Sequence, residues 1–268
     1  MFRYLATRAA PRVAIRSAVR APRVSMRAFA AIGLVGAAGF SIASAMPWKP
    51  IANEGQAIEV DSAIDPFPLE MKKNDFLKTD WVLVGTGVRT VTFVSFKVYG
   101  VGIYVAKEDL PKAKQLLQGV NIDTLLDPVA NVGVIDKLLD GGVKFMVRFS
   151  PVRNTDFNHL KDGYIKSILA NPKAKEVREP INRGLDELRS VFQSYRGAVP
   201  KNHVLYLQQG PQGQLDFTYQ NTKDNTTRHM GTVAEPQVSK VLLSSYMSGA
   251  KPLSVPLQQS VAAGLATL

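Results

Sequence analysis

The stretch "GTGVRTVTFVSFKVYGVGIY", residues 85–104, is the most regular part of the chain and decides its fold. Apolar residues alternate along it, which is the pattern of a strand with one buried face. One arginine, Arg89, stands among these valines, threonines and phenylalanines. A guanidinium keeps its charge inside a protein, so its burial requires an anionic or polar partner. The identity of that partner is the first question that the sequence raises.

The two glycines at the start of the stretch invite comparison with a nucleotide-binding loop. Gly85-Thr86-Gly87 lacks the third glycine of that motif, because position 90 is a threonine. A strand also follows where a phosphate loop needs the N-terminus of a helix. The sequence therefore does not predict a phosphate site here.

Arg89 has two interpretations that the residues alone leave open. If residues 88–99 form one strand, Arg89 shares a face with Val91, Phe93 and, ten residues on, Tyr99. The arginine is then either half of a structural salt bridge or an exposed edge residue, or it forms the floor of a pocket. Arginine suits a pocket floor because its planar fork holds carboxylates and oxyanions with two parallel hydrogen bonds.

The remainder of the domain alternates between strand and helix patterns. Period-two alternation predicts strands and a hairpin over 81–84, 88–99, 101–106, 142–149, 203–219 and 226–233. Helical spacing predicts helices over 157–169, 181–195, 238–246 and 257–265, with shorter ones at 108–117 and 131–139. Strands followed by helices, a hairpin and more helices indicate an α+β fold, a mainly antiparallel sheet covered by helices.

The charge of the chain is concentrated at its N-terminus. The formal net charge is +11, from 33 basic and 22 acidic residues. Residues 1–50 hold seven arginines and Lys49 but no acid, so removing these eight leaves 25 basic residues against 22 acids. The folded part is only mildly basic, and nucleic-acid binding is not predicted. With no cysteine and three histidines, a metal site is not predicted either.

Residues 1–27 have the composition of a mitochondrial presequence. Arginines recur every three to five residues between alanines and serines. A disordered basic tail is the alternative. Residues 28–46 carry no charge and, at about 1.5 Å per residue, just span a bilayer core of about 30 Å. They are predicted to be an anchor in the mitochondrial inner membrane, and a longer cleaved targeting peptide is the alternative.

The anchor also predicts an orientation. With the arginines on the matrix side, the C-terminal domain would face the intermembrane space. Residues 47–65 contain two prolines and no clear period, so they are predicted to be a linker. The domain is then expected to occupy residues 66–268.

The opening stretch resembles the first strands of the chalcone isomerase-like family. That family's signature is Gly-x-Gly-x-Arg, a strand, and then Lys-x-Tyr-x-x-Gly-x-Tyr, which residues 85–104 match. The segments "VPKNHVLYLQQGPQGQLDFTY" and "MGTVAEPQVSKVLLSSYMSGA" supply the family's hairpin and following helix in order. The resemblance covers residues 66–268, and the N-terminus is similar to the fungal mitochondrial branch. It implies an open-faced β-sandwich, an antiparallel sheet packed against a helical layer with a ligand cleft between.

The resemblance also implies site residues. Arg89 aligns with the arginine that stabilises the substrate anion in the plant isomerases and holds a carboxylate in fatty-acid-binding relatives. Tyr99 stands where the plant enzymes have a threonine, and Ser245 aligns with a hydroxyl on the penultimate helix. Phe157 and Tyr164 stand where those enzymes have tyrosine and asparagine, so two polar positions of the catalytic set are altered.

Three functions follow as hypotheses. The first is binding of a small hydrophobic anion such as a fatty acid, with Arg89, Tyr99, Phe157, Tyr164 and Ser245 lining the site. The second is an intramolecular lyase or isomerase using Arg89, Tyr99 and Ser245. The third is haem binding through His159, against which stands the simpler interpretation of a histidine on a helix surface.

Overall fold

An antiparallel sheet organises the described part of the chain. The computed structural model describes residues 56–91 and 96–268, which all belong to one compact unit. The strands are β1 Ala57–Ile58, β2 Phe67–Pro68, β3 Glu70–Met71, β4 Trp81–Val91, β5 Phe96–Ala106, β6 Phe145–Pro151, β7 Thr155–Asp156, β8 Ala198–Val199, β9 Val204–Gln209, β10 Leu215–Asn221 and β11 Thr226–Val233. In the described residues the main sheet has the order β11-β10-β9-β6-β5-β4-β3, while β1–β2 and β7–β8 form small separate ladders.

Helices fill the connections and cover one face of this sheet. After a short 3₁₀ turn at Lys107–Asp109 come α1 Leu110–Leu116, α2 Ile122–Leu126, α3 Ala130–Asp140, α4 Phe157–Ala170, α5 Lys173–Glu176, α6 Arg178–Gln193, α7 Pro236–Met247 and α8 Val255–Ala266. The predicted α+β class and open-faced sandwich are confirmed. The short helix α2 was missed by the periodicity, because five residues are too few to show a helical repeat.

The sheet has an inner face toward the helices and an outer face on the opposite side. Alternation along β6 divides its side chains: Val147 and Phe149 join the main core with the helices, while Met146 belongs to a smaller outer cluster. The outer face is covered by residues 57–71, here called the strap. Phe67 of the strap is fully buried against the sheet.

Glycines on β4 bring α8 into direct contact with the sheet. A Cβ atom at Gly85 would lie 2.5 Å from the backbone nitrogen of Val261, and one at Gly87 would meet the backbone of Leu257. Real Cβ atoms do not approach backbone so closely, so any larger residue would push the helix away. The glycines that first suggested a phosphate loop therefore allow a helix to pack on a strand.

The strand predicted over 88–99 is wrong in one respect. The structure has two antiparallel strands, β4 and β5, which place Arg89 and Tyr99 directly opposite each other instead of on one strand. The register shifts between Arg89 and Thr90, a bulge beside the arginine after which the pairing continues through Thr90 and Val91. Residues 92–95 are Thr-Phe-Val-Ser, with no glycine or proline to signal a turn. The apolar alternation of the sequence therefore predicted one continuous strand where the structure has β4 and β5.

The folded part of the chain begins before its predicted start at residue 66. β1 pairs with β2, and Ile64 is 6% exposed, so residues 57–65 fold onto the sheet. The presequence predicted at 1–27 and the anchor predicted at 28–46 lie outside the described residues. Within the described ranges, no helix has both the length and the hydropathy needed to cross a bilayer.

Candidate functional site

Arg89 and Tyr99 form a polar pair on the inner face. Their Cα atoms are cross-strand partners in the β4–β5 ladder. The Arg89 Nη1 donates a hydrogen bond to the Tyr99 hydroxyl oxygen at 3.1 Å, and the guanidinium carbon lies 5.7 Å from the centre of the tyrosine ring. Arg89 is half-buried and Tyr99 is 6% exposed. The hairpin register thus places a cation and a phenol side by side under the helical layer.

Two further tyrosines surround this pair. Tyr164 of α4 and Tyr246 of α7 are both buried, and both interact electrostatically with Tyr99. Within the described residues, the Tyr164 hydroxyl has no hydrogen-bond partner. Burial raises the pKa of Tyr164 and of Tyr246 well above the usual range, so both phenols keep their protons at neutral pH. Protonated phenols can donate hydrogen bonds to an anion.

Arg89 has no carboxylate partner among residues 56–91 and 96–268 at ion-pair distance. Its contacts are with phenols: burial lowers the pKa of Arg89, but Tyr99 and Tyr246 outweigh burial, and the pKa is raised overall. The salt-bridge interpretation of Arg89 therefore lacks a partner in the described part of the chain. The site instead combines one positive charge with proton-donating phenols, a set that can hold an anion.

An aromatic wall continues from Tyr99 into the core. The Tyr99 ring packs on Phe149 with centroids 4.3 Å apart, and Phe149 lies 6.2 Å from Tyr164. Tyr164 in turn contacts Phe192 and Phe217 at 6.2 and 6.0 Å. This wall gives the polar pair an apolar neighbourhood, as a site for an amphipathic ligand requires.

Ser245 does not join the Arg89–Tyr99 pair. Its hydroxyl donates to the Val241 carbonyl oxygen at 2.8 Å and accepts from the Asn171 side-chain nitrogen at 2.8 Å. These bonds fasten α7 to the end of α4. The neighbouring Tyr246 is the residue of α7 that interacts electrostatically with both Arg89 and Tyr99. Sequence reasoning placed it in the apolar stripe of the helix and missed its role, although it is adjacent to the predicted residue.

Phe157 and His159 also lie apart from the pair. Phe157 begins α4 and contacts the rings of Tyr195 and Tyr219 at 5.4 and 5.1 Å, in a separate aromatic group. His159 is exposed in the first turn of the helix, where its backbone nitrogen donates to Asp156 at 2.8 Å. His159 therefore lies on the surface of α4, apart from the Arg89–Tyr99 pair.

Four cavities of about 300 to 740 Å³ open on the described surface, and none of these four is lined by Arg89 or Tyr99. The largest of the four lies on the outer side, between the loop 73–78 and the strands β10 and β11, and Asp216 is among its lining residues. The pair is instead covered by the helices of the inner face. A ligand would reach it through the partly exposed side of Arg89.

Known proteins match both the sequence and the fold. A family profile described as "Chalcone isomerase like" matches residues 79–262. A Debaryomyces hansenii protein named "Altered inheritance of mitochondria protein 18, mitochondrial" is 51% identical over 217 residues, which cover 76% of this chain and 73% of that protein. The protein of the same name from Kluyveromyces lactis is 38% identical over 96% of this chain and 90% of its own length.

A solved structure shares the architecture at low sequence identity. The crystal structure of an Arabidopsis thaliana fatty-acid binding protein matches with a TM-score of 0.56 and 18% identity, covering 80% of this chain and all of that one. At this identity the match concerns the fold. The curled antiparallel sheet with its helical layer is common to both proteins.

Proposed function

The chain belongs to the chalcone isomerase-like family, and from that premise we propose that it binds a hydrophobic anion such as a fatty acid. Arg89 and Tyr99 would hold the head group, with the phenols of Tyr164 and Tyr246 beside them. The observation that carries this proposal is the 3.1 Å Arg89–Tyr99 pair, in which the half-buried arginine interacts with phenols and has no carboxylate partner in the described residues.

Two features support a head group that is negatively charged, and a third supports an apolar tail. The guanidinium stays charged at any physiological pH. The phenols beside it stay protonated because burial raises the pKa of Tyr164 and Tyr246. The aromatic wall next to Tyr99 offers apolar surface for a tail. The related fold of a protein titled a fatty-acid binding protein is consistent with this ligand class.

The proposed setting is a mitochondrial membrane. The relatives carry mitochondrial names, and residues 1–46 have the arginine pattern and the uncharged segment of a presequence followed by an anchor. The domain would then be held at the inner membrane and face the intermembrane space. This orientation predicts that an added protease digests the domain once the outer membrane is opened. Protection of the domain that persists after this opening would contradict the orientation.

The intramolecular-lyase hypothesis has less support from the site. Of the residues that the resemblance assigned to catalysis, Ser245 has its hydroxyl engaged with Asn171 and Val241 and not with the arginine. Phe157 brings no hydroxyl at all. Binding without turnover is therefore the function that the geometry favours.

The test compares ligands that differ only in charge. Decanoate and decanol have the same tail, so the ratio of their affinities isolates the contribution of the head group. Hydrogen bonds to a charged group are worth about 1.5–3 kcal/mol, so we expect the full chain to prefer decanoate roughly 10–100-fold. In Arg89→Met this preference should fall to near one.

Arg153→Met serves as the matched control. Arg153 is exposed and stacks on the ring of Phe96, with its guanidinium carbon 4.2 Å from the ring centre. The substitution removes the same charge from the surface and should leave the preference for decanoate unchanged. A preference that survives Arg89→Met, or a wild-type chain that binds neither ligand, would contradict the proposal.

A further inference from the structure

A second buried arginine lies on the outer face of the same sheet. Arg148 of β6 is 6% exposed, and its cross-strand neighbours are Gly102 on β5 and Tyr206 on β9. The ring of Phe67, from the strap, covers it: the guanidinium carbon lies 4.0 Å from the ring centre. Arg148 is thus enclosed between the sheet and the strap.

The guanidinium of Arg148 is not satisfied by the protein. Its Nε and Nη1 atoms are buried and have no hydrogen-bond partner within the part of the chain that the structure describes. Of the nearby phenols, Tyr104 donates to the Pro68 carbonyl oxygen at 2.9 Å and Tyr206 donates to the Gln220 side-chain oxygen at 2.8 Å. The guanidinium shares a side-chain hydrogen bond with the Tyr206 phenol, which leaves Nε and Nη1 as its unpartnered donors in the described residues. Burial raises the pKa of Tyr206 while Arg148 opposes the rise, which reflects how close the charge lies to that phenol.

The two buried carboxylates of the outer face, Asp61 and Asp216, are already paired with lysines. Asp61 bonds Lys97 at 2.7 Å, and Asp216 pairs with Lys78. No carboxylate lies within ion-pair distance of Arg148 in residues 56–91 and 96–268. A water molecule could accept a hydrogen bond from Nε or Nη1, but it would leave the buried positive charge uncompensated.

We propose that Arg148 binds a small singly charged anion, a halide or a short carboxylate, beneath the strap. The single charge follows from the single guanidinium. The small size and weak hydration follow from the enclosure, which presents the face of Phe67 and the rings of Tyr104 and Tyr206. This site lies on the opposite face of the sheet from the Arg89–Tyr99 pair and does not depend on the function proposed for that pair.

The test is thermal unfolding of the full chain at constant sodium concentration. Gluconate, which is larger than either test anion, is replaced stepwise by chloride in one series and by acetate in another. An anion at about 100 times its Kd multiplies the folding equilibrium about 100-fold, which raises the midpoint by roughly 5–10 °C for a domain of about 200 residues. The proposal expects a saturable rise with at least one of the two anions.

Variants assign the rise to Arg148. In Arg148→Met, which keeps the apolar stem, the rise should disappear, whereas Arg153→Met should retain it. A response to chloride alone identifies a halide, and a response to acetate identifies a carboxylate. The proposal is overturned if the wild-type chain does not respond, or if Arg148→Met responds as strongly as the wild-type chain.

A direct readout covers the case in which Arg148→Met does not fold. Crystals of the full chain grown in bromide, and separately in acetate, should show an anomalous peak or carboxylate-shaped density within hydrogen-bonding distance of Nε or Nη1. Density for water alone in both crystals would overturn the proposal.

Discussion

Glycines on both faces of the sheet allow close packing, but against backbone on the inner face and against side chains on the outer face. On the inner face, Gly85 and Gly87 of β4 let α8 rest against the strand backbone. On the outer face, Gly100 and Gly102 of β5 make room for side chains of the strap, Ile64 and Phe67. The helix backbone on the inner face cannot move away from an added Cβ atom, but the side chains on the outer face can rotate away from one. The inner face is therefore the rigid one.

Each face also holds one arginine, half-buried Arg89 on the inner face and buried Arg148 on the outer face, and their surroundings differ. Arg89 donates to a phenol at 3.1 Å and lies beside further phenols that are protonated at neutral pH. Arg148 has two unpartnered nitrogens and an aromatic cover. An arginine with hydroxyl neighbours suits the head group of an amphipathic ligand, and an enclosed one suits a small ion.

The largest expected effect comes from alanine substitution of a glycine on each face, which compares the rigidity of the two faces. Gly85→Ala places a Cβ atom 2.5 Å from the backbone nitrogen of Val261, so we expect a loss of about 3 kcal/mol in the free energy of unfolding. Gly100→Ala meets first the terminal Cδ1 of Ile64, which can rotate away, so the loss should stay below about 1 kcal/mol. Urea denaturation of both variants measures the difference. Equal losses would show that the two faces are equally rigid.

These packing partners could not be predicted from the sequence. Alternation predicted most strands, and helical spacing predicted the long helices, because both are local consequences of one buried face. The partner of Gly85 lies in α8, more than 170 residues along the chain, and no local pattern signals it. Arg148 occupies the outward position of an alternating strand and is buried only because the strap covers it.

The candidate site was predictable in part. Arg89 and Tyr99 stand out as polar residues in an apolar stretch, and the hairpin does bring them together, although as neighbours on two strands. Tyr246 was missed because its helical stripe indicates core packing, and its proximity to Arg89 depends on how α7 docks. Ser245 lies on the helix α7 as predicted, but the side chain of Asn171 engages its hydroxyl.

A second prediction compares buried tyrosines of the two faces. Tyr104 donates to the Pro68 carbonyl oxygen on the outer face, so Tyr104→Phe leaves a buried acceptor unpaired and should cost about 1–2 kcal/mol of stability. The Tyr164 hydroxyl has no partner in the described residues, so Tyr164→Phe should be neutral or slightly stabilising in the absence of ligand. A large loss of stability in Tyr164→Phe would mean that its hydroxyl is bonded in the empty protein.

The smallest effect concerns acid on the outer face. Burial raises the pKa of Asp216, but hydrogen bonds from Lys78 and Thr232, the charge of Lys78 and the nearby His229 outweigh it, so the pKa is lowered overall. A carboxyl group whose pKa is lower in the folded state than in the unfolded state stabilises the fold. For Asp216 this stabilisation is fully present above the unfolded pKa, near 3.8, and it is lost as the pH falls through the lower pKa of the folded state.

We therefore expect Asp216→Asn to be less stable than the wild-type chain by up to about 1 kcal/mol from pH 5 to 7, because Lys78 is largely exposed. The difference should shrink below about pH 4. Denaturation midpoints of both chains across this pH range measure it. A difference that grows toward acid pH would reverse the assigned sign.

The central claim is that the inner-face pair holds a hydrophobic anion, and its most direct test is to identify what the protein carries. The full chain is isolated from mitochondria in mild detergent beside Arg89→Met and Arg153→Met, and the bound small molecules are analysed by mass spectrometry. We predict a long-chain carboxylate in near-stoichiometric amount on the wild-type and Arg153→Met chains and at least tenfold less on Arg89→Met. Equal amounts on all three chains, or no amphipathic anion on any, would contradict the account.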